Sequence, residues 1–247
     1  MSRLDQLIAH NLSLSRKQVL TLFKRRKVTR IDGTRFSDGS LDIPKNQLPF
    51  SLKIENHTYT LFARYHVMMH KPTGFVISTR DPNHRTANEL LAGQPFADRL
   101  VAIGRLDLDT SGLLLWTSEG QLVHRLSHPK RSIPRVYHVG LDRPWTFPPT
   151  DFRLHDGHQP NIVELISIER LRCHSSLSIS SHTRYFASIT LLGGKYHEVR
   201  RIFAALGSHV HSLSRVRYGP FSLPPDLIAG QCMAVDLDVM LDQADAP

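Results

Sequence analysis

Two carboxylates spaced i, i+2, Asp107 and Asp109, stand in the stretch Gly104-Arg105-Leu106-Asp107-Leu108-Asp109-Thr110-Ser111-Gly112, between apolar runs that end at Ile103 and begin at Leu113. Acids at this spacing point the same way in extended chain and diverge in a turn. Such a pair could hold a divalent cation, but that needs further oxygen or nitrogen ligands, and none stands at a suitable spacing. It could supply the acid and base of a glycosidase, yet no aromatic sugar platform accompanies it. It could also be a polar turn with no chemistry at all.

Other reactive residue types are scattered less informatively. Among 15 histidines the pairs His209/His211, His155/His158 and His124/His128 lack a third ligand, and no zincin glutamate accompanies the i, i+4 pair. Gly193-Gly194-Lys195 lacks the first glycine and the following hydroxyl residue of a phosphate loop. The two cysteines, Cys173 and Cys232, make neither a disulfide framework nor a zinc site. No metal and no cofactor is expected.

The elements that must position the acids follow from periodicity. Val101 and Ile103 lead in as a strand, and Leu113–Trp116 leave as another. Ser118-Glu119-Gly120-Gln121 then has the form of a cap for a helix with the stripe Leu122, Val123, Leu126. Val199, Ile202, Phe203 and Leu206 form a helical stripe stopped by Gly207. Arg200 falls about 100° from Val199, on the flank of that stripe, and Arg201 faces away. Arg200 is either an ordinary solvent arginine or one that reaches into a cleft. In the alternating run Ile133, Arg135, Tyr137, Val139, Leu141, Tyr137 shares the apolar face, where a core tyrosine is the usual occupant. The segment Leu171–Thr183, rich in Ser and His, reads as a loop with no assigned role.

The N-terminal quarter differs in charge. The 247 residues carry a formal charge of +9, and residues 1–60 alone hold 11 Lys+Arg against 5 Asp+Glu. Concentrated cations of this kind suit a phosphate backbone, the alternative being a solvated helix face that keeps the protein soluble. Leu4, Leu7 and Ile8 make one short helix; Ser15-Arg16-Lys17-Gln18 has the capping-box form, and Val19, Leu22 and Phe23 continue a second. Arg16, Lys17 and the run Lys24-Arg25-Arg26-Lys27 form a basic surface beside a hairpin whose two-residue turn is Asp32-Gly33. A connector at about 44–66 contains a strand or hairpin over 51–62. With 40% apolar and 21% charged residues the chain is globular. It shows no apolar run long enough for a membrane span and no secretory core at Met1–Gln6, so a cytoplasmic protein is expected.

The motifs also resemble a known family. Gly-Arg-Leu-Asp-x-x-Thr-x-Gly-Leu, starting at Gly104, is similar to the signature of the pseudouridine synthases. Three further segments match in order: His70-Lys71-Pro72-Thr73-Gly74, with His70 where asparagine is usual; Arg135-Val136-Tyr137; and Gly194-Lys195-Tyr196-His197-Glu198-Val199-Arg200-Arg201, with Glu198 where glutamine is usual. The first sixty residues resemble the RNA-binding module of small-subunit ribosomal protein four, which opens with Arg-Leu-Asp and has a later Ser-Arg. Together these resemble the RsuA-like branch of that family, whose members modify ribosomal RNA.

The resemblance implies Asp107 as the catalytic aspartate, with Arg105, Tyr137, Arg200 and Lys71 as substrate-binding residues, although Lys71, in a Lys-Pro turn, suits a structural role equally well. Arg105 would hold the nucleotide out of its helix or fill its vacated place, Tyr137 would be a wall for uracil or also a proton acceptor, and Arg200 the cation that keeps a buried Asp107 ionised. Arg16, Lys17, Lys24, Arg25, Arg26 and Lys27 would bind RNA. The fold expected is α+β: a module of two helices plus a hairpin over 1–60, then over 61–247 a mixed, mainly antiparallel sheet with flanking helices and a central cleft. The substrate expected is a uridine of 16S small-subunit ribosomal RNA, free or in a partly assembled subunit, handled by a monomer. The small-subunit choice rests on overall similarity and a compact C-terminus. A large-subunit enzyme and a non-catalytic ribosome-assembly protein are the competing readings.

Overall fold

The computed structural model describes residues 2–237; Met1 and the end of the expected compact C-terminus, residues 238–247, lie outside the described residues. The chain divides into two compact units, Met1–Tyr65 and His66–Pro247.

In the first unit β1 (Ser2–Arg3) leads into α1 (Leu4–Leu12), followed by α2 (Arg16–Lys24), β2 (Val28–Thr29), β3 (Asp42–Ile43), β4 (Phe50–Ile54) and β5 (His57–Leu61). The helices form where the stripes lie: Leu4, Leu7 and Ile8 of α1 pack with Val19 and Phe23 of α2, and with Leu52 and Leu61 of the β4–β5 hairpin. The capping box forms, with the Ser15 hydroxyl accepting from the Gln18 N–H and the Gln18 side chain accepting from the Ser15 N–H. β5 carries the unit past the expected boundary at residue 60, because its pairing with β4 runs from His57 to Leu61. The turn after β2 also differs from expectation. Arg30 N–H donates to the Thr34 carbonyl at 2.7 Å and Gly33 N–H to the Arg30 carbonyl at 3.0 Å. The loop is therefore three residues, Ile31-Asp32-Gly33, with Gly33 at φ 90° in the left-handed position such a loop requires.

The second unit is built on β6 (His66–Lys71), β7 (Phe75–Val76), β8 (Arg85–Thr86), β9 (Val101–Ile103), β10 (Ser111–Thr117), α3 (Gly120–Ser127), β11 (Arg135–Leu141), β12 (Ile162–Ser167), β13 (Tyr185–Leu191), α4 (Glu198–Ala205), β14 (Val210–Tyr218), β15 (Phe221–Ser222) and β16 (Cys232–Ala234). The sheet order is β12-β13-β11-β14-β10-β6-β16, with β9 against β10 and β15 against β14. The fold is α+β. Every residue of β6 and β10 is buried, so both faces of the sheet are covered there. Leu122 and Leu126 of α3 pack on Leu113 and Leu115 of β10. The N-cap of α3 is Glu119, whose N–H is met by the Thr117 hydroxyl, so Ser118 does not have the capping place expected for it.

Among the described residues one contact in this sheet is parallel: β10 meets β14 over Ser111↔Ser214 and Gly112↔Arg215, and the other pairings are antiparallel. After two residue pairs these strands part, and the opening is where the acidic loop sits. Gly112 permits the approach, because a Cβ on it would lie 2.3 Å from the Arg215 carbonyl oxygen. Beneath the seam the Ser111 hydroxyl donates to the Ser176 carbonyl at 2.6 Å, and Ser176 and Ser214 hydroxyls lie 2.6 Å apart. Ser176 and Leu177 are buried. Part of the Leu171–Thr183 segment is thus a packed support for the seam rather than a loop without a role.

Candidate active site

The loop between β9 and β10 carries the two acids to the mouth of the seam. It is fixed from below by Lys71, at the end of β6 and opposite Gly112 in register. Lys71 is fully buried, and its Nζ donates to the carbonyls of Pro72 (3.0 Å), Asp107 (3.0 Å) and Thr110 (2.8 Å). An ammonium has three donors, so all are used. Burial pushes the Lys71 ammonium down to about 8, against the pull of Asp107 and Asp109. Gly74 N–H adds a bond to the Leu108 carbonyl at 2.8 Å. The Lys-Pro-Thr-Gly segment is therefore the floor of the acidic loop. Lys71 cannot contact a substrate as expected, because its ammonium is enclosed and its donors are occupied.

A cavity of about 390 Å³ opens above, lined by Gly104–Asp107, Arg135, Tyr137, the segment Gly194–Arg200 and Arg215. The Asp107 side chain is 33% exposed, with its Oδ1 3.7 Å from His197 Nε2. Arg105 is exposed at the rim. Tyr137 is buried on the face shared with Val139 and Leu141, and it also lines the cavity, so it is both a core tyrosine and a wall. Asp107, Arg105, Tyr137 and Arg200 are thus brought together.

The partner of Arg200 differs from expectation. Its Nη2 lies 2.8 Å from Asp109 Oδ2, and its Nη1 donates to the Val210 carbonyl at 3.0 Å. Angular arithmetic along α4 gave the right side of the helix, but the next acid along the loop is the one within reach. Asp107 is also less buried than a carboxylate that would demand a guanidinium. Arg201 meets Asp156 at 2.6 Å.

Arg215 and His197 were not found from the sequence. Arg215 is 1% exposed, and its Nε donates to the Leu113 carbonyl at 2.9 Å and its Nη1 to the Arg105 carbonyl at 3.3 Å. It ties β14 to the acidic loop and presents a buried Nη2 without a hydrogen-bond partner among the described residues. The signal, if any, was an arginine placed between Leu213 and Val216 in the middle of a strand, where Arg215 is buried and Arg217 two residues on is exposed. His197 precedes α4, where helical periodicity says nothing; its φ of 50° turns it toward Asp107.

In the first unit Arg16, Lys17, Lys24, Arg25 and Arg26 are exposed on and just after α2. Lys27 is less available, because it forms an ion pair with Glu55. No three His, Cys, Asp or Glu side chains gather as metal ligands among the described residues. No described helix is long and apolar enough to cross a membrane.

Comparison with known proteins decides the family. A family model described as RNA pseudouridylate synthase matches residues 65–205, which include the acidic loop, Tyr137 and Arg200. The chain belongs to that family. The likeness extends over both units: a ribosomal small subunit pseudouridine synthase A of Yersinia pestis is 34% identical over 93% of this chain and 92% of its own. The protein of that name from Escherichia coli (strain K12) is 32% identical over 93% of this chain and 94% of its own. A solved structure titled as a pseudouridylate synthase covers 99% of this chain and 100% of its own, at 27% identity and a TM-score of 0.57. The enzyme is a pseudouridine synthase: it breaks the bond from the ribose C1′ to uracil N1, turns the base and joins C5 to C1′.

Proposed function

We propose that the uridine isomerised by this synthase lies in 16S small-subunit ribosomal RNA, and that Asp107 is the carboxylate that meets its C1′. The likeness of the whole chain, over both units, to relatives named for the small ribosomal subunit supports the substrate. The role of Asp107 is carried by its position: a partly exposed carboxylate at the floor of a cavity the size of a nucleotide, reached by a target base only when it is unstacked.

The reaction needs no redox partner, since the proton lost from C5 is balanced by one gained at N1. As the C1′–N1 bond breaks, the sugar carbon becomes electron-poor, and a carboxylate stabilises it or traps it covalently. Asp107 takes that place. Tyr137 supplies the wall against which the freed uracil turns, and Arg105 at the rim fills or guards the vacated stack. Arg200 keeps Asp109 engaged and so fixes the loop, while Arg215 holds the same loop from β14. Arg16, Lys17, Lys24, Arg25 and Arg26 grip RNA phosphates, with Lys27 shared with Glu55. The protein works as a monomer in the cytoplasm, on free ribosomal RNA or a partly assembled subunit.

Carbodiimide mapping of pseudouridine in ribosomal RNA from cells with and without the gene tests the substrate. One 16S position that loses its signal is the expected result; a lost 23S position moves the assignment to the large subunit. With purified protein, Asp107→Asn is expected to abolish product while RNA affinity stays within a few-fold. Loss of both together makes the residue architectural.

A further inference from the structure

Glu198, at the place where glutamine is usual in the motif this segment resembles, opens α4 and is only 3% exposed. A buried carboxylate needs partners. Its Oε1 lies 2.7 Å from His158 Nε2, and its Oε2 accepts the Lys195 N–H at 3.0 Å. Gly193 makes room: a Cβ there would stand 2.8 Å from that same Oε2. His158 belongs to a tight strap between β11 and β12, closed by Leu154 N–H to the His158 carbonyl and Gly157 N–H to the Leu154 carbonyl, both 2.8 Å. The strap is pinned to α4 a second time by Asp156 on Arg201.

Between Lys195 and Glu198 the chain turns sharply. Glu198 N–H donates to the Lys195 carbonyl at 3.1 Å while its carboxylate accepts from the Lys195 N–H, so the turn is closed from both ends. Inside it His197 has φ 50° and ψ 29°, a left-handed conformation uncommon for a residue with a Cβ. That conformation delivers the imidazole to Asp107.

We propose that Glu198, clamped by His158, is a positioning residue for the reaction: it holds the 195–198 turn that sets His197 against Asp107. The inference rests on Asp107 being the reacting carboxylate. A glutamine at 198 keeps the bond to the Lys195 N–H through its amide oxygen, and alanine keeps neither partner. If the pair served only to tie the strap to the helix, its loss would lower stability without altering the rate of folded enzyme.

The test is a double-mutant cycle between Glu198→Ala and His197→Ala in the full chain. It is read as single-turnover release of tritium from the C5 of labelled uridine RNA, with enzyme saturating and folded fraction measured by circular dichroism. Glu198→Ala is expected to slow the wild-type background at least tenfold with RNA affinity within about twofold, and to cost little further in the His197→Ala background. Glu198→Gln is expected to stay within about threefold of wild type. An equal loss in both backgrounds, or no loss with only a lower melting temperature, overturns the proposal. Should Glu198→Ala not fold, His158→Ala takes its place in the cycle under the same criteria. Asp107→Asn, run alongside, separates the two readings: its retained activity sinks the role of Asp107, whereas an additive cycle with an inactive Asp107→Asn sinks only that of Glu198.

Discussion

A single buried ammonium shows how much of the site depends on groups that never touch substrate. Lys71 binds two carbonyls of the acidic loop and one of its own Lys-Pro turn, and its pKa falls to about 8 because it is enclosed. Its removal takes the charged donor from all three, and of these the Asp107 carbonyl keeps the Thr110 N–H at 3.1 Å, so Lys71→Met is expected to destabilise the protein by at least about 2 kcal/mol. The pH dependence has a definite sign. Between about 8 and the ordinary lysine value of 10.5 the unfolded chain binds the proton that the folded one has lost, so this group's contribution to stability rises with pH. The gap in urea midpoint between wild type and Lys71→Met is therefore expected to widen from pH 7.5 to pH 10. A constant gap would mean that the ammonium is not perturbed. Lys71 was legible in the sequence as part of a motif, but its role was not: the Lys-Pro-x-Gly spacing does not say whether the side chain points into the cleft or beneath it.

Helix α2 was legible almost entirely, because its stripe and cap are local signals. Its far end depends on backbone detail. Arg26 N–H donates to the Phe23 carbonyl at 2.9 Å and Lys27 N–H to the Leu22 carbonyl at 3.0 Å, the paired bonds of a Schellman ending. This puts Arg26 at φ 54°, where a Cβ is unfavourable, while Arg25 at φ −82° remains near-helical. Arg26→Gly is therefore expected to raise stability by up to ~1 kcal/mol, and Arg25→Gly to lower it by a similar amount. Thermal denaturation of the two variants, which lose the same charge, checks the difference; equal shifts would remove the backbone explanation. Strand β10 gives the opposite lesson. Its apolar run was plain, yet the parallel contact through Gly112 was not, since strand order is a property of the sheet and not of the strand.

For the whole molecule, charge is the quantity that local structure cannot adjust. The positive excess is concentrated in the first unit, on side chains that point to solvent. Each side chain that neutralises a phosphate contributes about 0.7–0.9 to the slope of log affinity against log salt. Replacing Arg16, Lys17, Lys24, Arg25 and Arg26 with glutamine is expected to weaken binding to every RNA and to flatten that slope by one to several units. Filter binding at several salt concentrations measures it, and an unchanged slope would take this unit off the contact surface.

The sequence by itself determined what is local or written in fixed spacing: the helical stripes, the capping box of α2, the acid in its Gly-Arg-Leu-Asp loop, and the family those motifs belong to. Only the tertiary structure decided which charges meet. Arg200 engages Asp109 and not Asp107, Lys71 lies under the loop, and His197, Arg215 and the Glu198–His158 pair join the site from segments distant in the chain. The reason is geometric. Periodicity gives the direction in which a side chain leaves its own element, whereas depth and partner depend on how separate elements pack, and at charged groups a few ångströms choose one acid over the next.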